Sequence, residues 1–495
     1  MEPADRTPDS ALGPPERLHP LFLLTGLGGV VRGAWGLLAA GAWAATQGRW
    51  WFVGVMLAVF GLMSVGGLLL KWLKLEYRVG ADEIRIDSGF LSRTSRAIPF
   101  DRMRDVDIEQ GPLQRLLGLA KVRFETGASA GAKKEDGVLH TIALDRAEAI
   151  RRHIRARHQG GMAVDPSVAE PESAPIFAMD SRRVLTAGLF NFSLVLLAGL
   201  FGLTQTLGNV AGFDPFSRHF WSDALDLSAP VQALVIGHRI VAAIAGTLVL
   251  LVVGVASGTV RTILRDHGFR LDRAAAGLRR RRGLLTLTDV SVPLKRVQAA
   301  IIATGPVRHA FGWAELKLQS LAQDGPGKGD HVVAPLAHPP EVSDILAELG
   351  WPAGPDEAAW RRISRAYLII FLLAMAPLAL AALVPLWLAP PLGLAILAAI
   401  AVAAALRALA WPRTRFALDA ERLFVQTGWW RQRRLVLPLT KVQSADVTDN
   451  FLTRVFGVAT VRLGVAGGGG FSNHAVPALP RAEAHALRWA VLGEA

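Results

Sequence analysis

The residues that could do chemistry are sparse in this chain, and their spacing argues against catalysis. Gly127, Ser129 and Gly131 match the G-x-S-x-G pattern of a hydrolase nucleophile. That motif needs a strand turning sharply into a helix, whereas a polar loop follows here. The 12 histidines show no HExxH or other ligand spacing, so no metal site is expected. The absence of cysteine removes disulfides, thiolate nucleophiles and cysteine-held metals. The glycine run 467–470 has no following Lys-Ser or Lys-Thr, so it is no phosphate loop. No catalytic residue, metal or cofactor is assigned, and a membrane hydrolase lacks any supporting constellation.

Charge within apolar sequence is the first positive signal. Arg32 stands near the middle of a long apolar stretch at 21–45. Starting a helix after it leaves only about 14 residues to Thr46, too few to cross a bilayer. A charge in hydrocarbon is costly unless it is paired, faces a lumen or snorkels to the interface. Arg32 is therefore the residue behind the alternative reading, a transporter or pore component.

The second signal is an apolar doublet beside basic residues. It reads Gly428-Trp429-Trp430-Arg431-Gln432-Arg433-Arg434, then Arg279-Arg280-Arg281-Arg282-Gly283-Leu284-Leu285, and upstream Gly89-Phe90-Leu91-Ser92-Arg93. Such a loop can dip its apolar side chains into headgroups while each basic charge gains about 1 kcal/mol from anionic lipid. Arg279, Arg280, Arg281, Arg282, Trp429, Trp430, Arg431, Arg433 and Arg434 are the expected lipid contacts. The competing reading is a strand with one buried apolar residue and a solvated basic face.

The elements that must position these residues begin with membrane spans. A mean hydropathy of +0.33 over 495 residues, with only 19% charged, is unusual for a soluble protein. A span needs about 20 apolar residues to cross roughly 30 Å of hydrocarbon. Six stretches qualify: 21–45, 50–70, 184–207, 231 or 240 to 260, 367–388 and 391–410. The short connections between spans one and two and between spans five and six make those helices antiparallel neighbours. The connection at 208–230 is acidic, whereas Lys71, Lys74, Arg182, Arg183, Arg261, Arg265, Arg361, Arg362 and Arg365 collect near the opposite span ends. By the positive-inside rule that basic side is cytoplasmic, with both termini and every soluble segment. The net charge of +13 is read as this orientation signal, and nucleic acid is not expected as a partner. Residues 1–20 are polar and Pro-rich, with no cleavable signal pattern.

Between the spans lies one unit written three times. IPFDRMRDVDIEQGPLQRLLGLAKVRF at 98–124, VPLKRVQAAIIATGPVRHAFGWAELKL at 292–318 and LPLTKVQSADVTDNFLTRVFGVATVRL at 437–463 align without a gap. Proline recurs at Pro99, Pro293 and Pro438, and glycine at Gly118, Gly312 and Gly457. A further glycine lies upstream at Gly89, Gly283 and Gly428. The proline is expected to open a strand, and the downstream glycine to turn the chain into the next one. Alternation of Val122 and Phe124, Leu316 and Leu318, and Val461 and Leu463 with Arg123, Lys317 and Arg462 supports strands. Each copy ends in a helix, opened by a capping box of Asp145 with Glu148 in the first and by first-turn Pro340 and Pro480 in the others. The second copy departs most, with an Ala-rich insertion near Ala274 and with His309 where the others have Arg115 and Arg454.

The run of proline, hydrophobic and basic residues followed by GPLQRLLGLAKV resembles bacterial pleckstrin-homology-like (PH) domains. Linked to paired spans and repeated, it resembles membrane proteins of the YdbS/YdbT type over nearly all of the chain. The resemblance implies a bent antiparallel β-sandwich or partial barrel with a C-terminal helix, no catalytic residues, and a setting in envelope stress or antimicrobial resistance. The expected chain is an α+β membrane protein of six transmembrane helices in three hairpins. A polar tail at 1–20 leads to hairpins at 21–70, 182–260 and 367–410. PH-like domains follow them at 71–158, 261–350 and 411–495, with linkers at 159–181 and 351–366. The expected function is a non-enzymatic multi-pass protein of the inner (cytoplasmic) membrane. It would act as a scaffold whose partners are anionic lipids and a membrane protein or a second copy of itself.

Overall fold

The computed structural model describes residues 13–34, 50–80, 82–88, 94–100, 103–126, 138–158, 174–191, 239–274, 277–320, 330–355, 359–466 and 474–493. Gly89 to Arg93, Ser129, the side chain of Arg32 and most of the linker at 159–181 lie outside the described residues.

One order of elements recurs three times. In the first repeat β1 (Glu16–Arg17) precedes α1 (Phe22–Gly33) and α2 (Trp50–Lys74). There follow β2 (Glu76–Val79), β3 (Glu83–Ser88), β4 (Thr94–Pro99), β5 (Met103–Gln110), the short α3 (Pro112–Leu116), β6 (Leu119–Thr126), β7 (Val138–Ala143) and α4 (Leu144–His158). The second repeat begins with β8 (Phe177–Ala178), α5 (Ser181–Leu189) and α6 (Arg239–Asp266). It continues through β9 (Arg270–Ala274), β10 (Gly277–Arg282), β11 (Leu287–Pro293), β12 (Val297–Thr304), α7 (Pro306–Ala310), β13 (Ala314–Ser320), β14 (Asp330–Ala337) and α8 (Pro339–Ala347). The third opens with β15 (Arg361–Arg362), α9 (Ala366–Ala381), α10 (Leu383–Leu388) and α11 (Pro390–Ala410). It ends with β16 (Arg415–Leu418), β17 (Arg422–Thr427), β18 (Gln432–Pro438), β19 (Val442–Thr448), α12 (Phe451–Val455), β20 (Val458–Val465), β21 (His474–Pro480) and α13 (Arg481–Leu492).

Among the described residues, four helical segments are long and apolar enough to cross a membrane: Trp51–Lys74, Leu248–Asp266, Ala366–Leu388 and Pro390–Arg413. Most of their apolar residues stay exposed to the surroundings, as lipid-facing helices require, while Leu248–Asp266 also buries Ser257, Thr262 and Asp266 on one face. The first and third expected spans are described only over α1 and α5, so the count of six rests partly on residues outside the description. What is described packs in pairs: α1 on α2, α5 on α6, and α11 on α9 and α10. At Gly188 a Cβ would lie 2.8 Å from the Thr259 backbone, the close approach that small residues permit between membrane helices.

The chain forms two compact units, one of Met1–Glu172, Met179–Phe269 and Arg281–Val290, the other of Ser173–Ala178, Arg270–Arg280 and Ser291–Ala495. In the first, β1 to β4 make an antiparallel sheet in sequence order, and β7, β6, β5 and β11 are successive neighbours in another. Their inward faces, with Ile84, Phe100, Met103 and Val122, close under Ile150 and Ile154 of α4. Each such side chain withdrawn from water contributes about 1.5–3 kcal/mol. In the second unit a seven-stranded sheet runs β14-β13-β12-β18-β17-β16-β15, and β19, β20 and β21 form a smaller one. Leu423, Leu437, Val461 and Leu463 pack there against Leu487 and Val491 of α13. The expected alternation is met, with Val122, Leu316, Leu318, Val461 and Leu463 all fully buried.

Three local expectations are corrected. Pro99, Pro293 and Pro438 end strands rather than open them. Their fixed φ near −63° at Pro293 and Pro438 starts the 3-10 turns Leu294–Arg296 and Leu439–Lys441, and a strand end tolerates the missing N–H. The first terminal helix begins at Leu144, ahead of Asp145, because the Leu144 N–H bonds the Gly118 carbonyl at 2.9 Å. The capping box belongs instead to the second repeat, where the Glu341 carboxylate accepts from the His338 N–H at 2.7 Å; Pro480 is the N-cap of the third. Finally, β9 and β10 begin at the same offsets from Gly283 as β2 and β3 from Gly89, so the Ala-rich stretch is a substitution and not an insertion.

Candidate membrane-surface site

The third repeat holds its aromatic and basic residues on a hairpin. β17 and β18 pair from Arg422 opposite Pro438 to Thr427 opposite Arg433, and the chain reverses through Gly428 to Arg431. Gly428 has φ +88°, and a Cβ there would lie 2.2 Å from the Arg431 carbonyl oxygen, so glycine is required to close the turn. At the tip Trp429 is half-buried and Trp430 is 61% exposed, their rings tilted with centroids 5.7 Å apart. Arg431 and Arg433 point to solvent.

Beside the tip lies a cleft of about 670 Å³ lined by Trp429, Arg413, Arg415, His309, Gln426 and Gln432, among others. Next to it a cavity of about 420 Å³ adds Arg434. Arg413 ends the 3-10 turn Trp411–Arg413 that continues the membrane helix α11, and its guanidinium donates to the Leu409 carbonyl at 3.1 Å. Arg415 donates to the Gln426 side-chain oxygen at 3.3 Å and lies over the Trp360 ring, as Arg434 does, at 4.5 and 5.7 Å. Three guanidinium groups beside a concavity at the end of a membrane helix suit phosphate oxygens, which arginine holds through charge-assisted, often bidentate hydrogen bonds.

The second repeat differs. Arg279 to Arg282 form strand β10 and not a loop, so the strand's alternation turns two of them inward. Arg280 is fully buried at the position that Ile86 and Val425 occupy in the other repeats, and it donates to the Val332 carbonyl at 3.1 Å. Arg282 meets Asp266 at 3.1 Å. Asp266 is fully buried and also takes Arg265 at 2.7 Å. Arg281 remains exposed, 3.8 Å from Asp289, and Arg279 is half-buried. The apolar doublet that follows does reach the membrane helix: Gly283 and Leu284 donate their N–H groups to the His267 and Leu264 carbonyls at 2.9 and 3.0 Å. Leu285 stays 48% exposed.

Sequence reasoning passed over the three short helices. α3 exposes Leu113 and Leu116, α7 exposes Val307 with the adjoining Phe311, and α12 exposes Phe451 and Val455. α12 packs against the membrane helix α9, and Arg115 of α3 donates to the Leu284 carbonyl at 2.7 Å. The signal was present in the aligned columns, where apolar residues recur in a helix too short to bury them.

Comparison with known proteins agrees with this architecture. The bacterial PH domain family matches residues 22–158, 229–350 and 368–495. A curated relative, the UPF0699 transmembrane protein YdbT of Bacillus subtilis (strain 168), is 24% identical over 314 residues, which cover 59% of this chain and 59% of the relative's own length. No solved structure matches. With three segments of family sequence, recurring antiparallel sheets closed by a helix, and membrane-length helices before them, the chain is a membrane protein that belongs to the bacterial PH domain family.

Proposed function

We propose that this protein is a non-enzymatic scaffold of the cytoplasmic membrane that holds anionic lipid headgroups at the inner surface, chiefly through its third repeat. The observation that carries this reading is the Trp429-Trp430-Arg431 tip beside the cleft of Arg413 and Arg415, at the end of helix α11. A tryptophan pair suits the headgroup level, and the guanidinium groups suit lipid phosphate. The basic span flanks support a cytoplasmic placement of the PH domains. A role in envelope stress or antimicrobial resistance, through lipid or a membrane-protein partner, is part of the same proposal.

Native mass spectrometry of the full chain released from membranes of mixed lipid tests it. The wild type is expected to retain phosphatidylglycerol or cardiolipin, and a variant carrying Arg413→Ser, Arg415→Ser and Arg431→Ser to lose it while keeping zwitterionic lipid. Equal retention of anionic lipid by both proteins would overturn the reading.

A further inference from the structure

Two strand junctions inside the chain follow one rule. At the first, Leu287, Thr288 and Asp289 of β11 pair with Gln110, Glu109 and Ile108 of β5. At the second, Gln432, Arg433 and Arg434 of β18 pair with Thr304, Ala303 and Ile302 of β12. In the gap-free alignment of the repeats these are the same column pairs: Ile108 aligns with Ile302, and Asp289 with Arg434. The second half of each repeat therefore adds to the first half of the next, antiparallel and in a single register.

The rule leaves one strand over at each end. β4 corresponds to β11 and β18, and β19 corresponds to β5 and β12. Among the described residues β4 and β19 are outer strands of their sheets. Burial follows this placement. Asp446 and Gln443 of β19 are exposed, whereas the aligned Asp107, Ile301 and Gln298 are buried. Ser95 and Ala97 of β4 are exposed, whereas the aligned Asp289 and Val436 are buried. An outer strand presents a row of N–H and C=O groups that templates a further strand.

We infer that β19 of one copy adds to β4 of a second copy, so that chains assemble head to tail through the junction already used twice within each chain. Carried over, the register sets Val447 opposite Ser95, Asp446 opposite Arg96 and Ala445 opposite Ala97. The middle pair brings opposite charges together where the second internal junction has Ile301 and Leu435. A side-chain clasp points the same way. Arg151 of α4 reaches Asp289 of β11 at 3.1 Å across the first junction. Its counterpart in α13 is Arg488, seven residues after the position whose N–H bonds the recurring glycine's carbonyl, Leu144 in one repeat and Arg481 in the other. The Nε of Arg488 is buried with no hydrogen-bond partner, and the residue aligned with Asp289 in β4 is Ser95, whose hydroxyl can accept. A heterologous contact of this kind builds rings or open rows.

The chain has no cysteine, so introduced thiols report without background. Full-length Ser95→Cys and Val447→Cys are carried on separately tagged copies and co-expressed in one membrane. A disulfide between the two tags under mild oxidation is expected, and with one thiol per chain it can form only between copies. Pairing Ser95→Cys with Asp446→Cys, which faces the other side of the strand, is expected to link weakly. Adding Asp446→Arg to the productive pair sets like charges opposite and should cut the yield about fivefold. No link between the two tags, or equal linking from the out-of-register pair, overturns the inference.

Discussion

The hairpins of the second and third repeats occupy the same place, with Gly283 and Gly428 in one column, yet they direct their arginines oppositely. In the second, the basic residues precede the glycine and fall in β10, where Arg280 fills a core position and Arg282 meets Asp266. In the third they follow it, at the tip and on the exposed side of β18. The contrast extends to the membrane helices. Asp266 stands seventeen residues before Gly283, where Trp72 and Trp411 stand before Gly89 and Gly428. Those indoles donate to the Leu18 and Ile363 carbonyls at 3.0 and 3.2 Å, tying the segment before each hairpin to the helix end. The second repeat replaces that clamp with an ion pair, and Arg282 stands where the others carry Ser88 and Thr427. A cluster of arginines is thus defined by which side of the glycine it occupies, because a strand alternates its side chains and a turn does not.

The largest effect that can break this comparison is expected at Asp266. Asp266→Asn removes the carboxylate from Arg265 and Arg282 in a buried site and should cost about 3–5 kcal/mol of stability, read by unfolding in detergent. The same measurement on Arg431→Ser should show almost nothing, so equal losses would end the distinction between structural and surface arginines.

A second effect lies where the third repeat meets the second. Burial, then the charge of Arg433, pushes His474 down to about 4 from 6.5, and its ring nitrogen Nε2 lies 2.9 Å from the Gln319 side-chain oxygen. A histidine held neutral in the fold but free to protonate when unfolded gives full stability above pH 6.5. That stability then falls as the pH drops toward 4, by about 3 kcal/mol in all. Arg433→Ser should raise the His474 titration, followed by NMR, and so make this acid-side loss smaller and complete at a higher pH.

Smaller again are the turn glycines. Gly283→Ala and Gly428→Ala place a Cβ 1.9 and 2.2 Å from the Thr286 and Arg431 carbonyls at φ +119° and +88°, and each should cost about 1–3 kcal/mol. The two hairpins are expected to respond alike here, since the turn geometry is shared and only the cargo differs. Last, Arg431→Ser should change stability by under about 0.5 kcal/mol while lowering retention of anionic lipid, as measured by native mass spectrometry.

Much of the architecture was legible in the residues. Membrane helices announce themselves because an uninterrupted apolar run has no other stable use, and α2, α9 and α11 fall where hydropathy places them. Alternation around Val122, Leu316 and Val461 marked inward faces because a pleat has a period of two. Trp430 and Arg431 were found at the surface of a hairpin as their composition suggested. Arg280 could not be placed by composition, since four consecutive arginines read as solvated unless the strand register is known. The cleft at Arg413 and Arg415 was also hidden, because His309 and Trp429 line it from more than a hundred residues apart.

By itself, the sequence determined the membrane-length helices, the threefold repeat and the glycines on which its turns depend, all of which follow from local composition and fixed offsets. Only the tertiary structure decided that neighbouring repeats share sheets, with β5 taking β11 and β12 taking β18. Pairing of that kind is made by backbone groups every residue carries, so no side-chain pattern announces it. What selects it is which edges the folded chain brings together and which it leaves outermost.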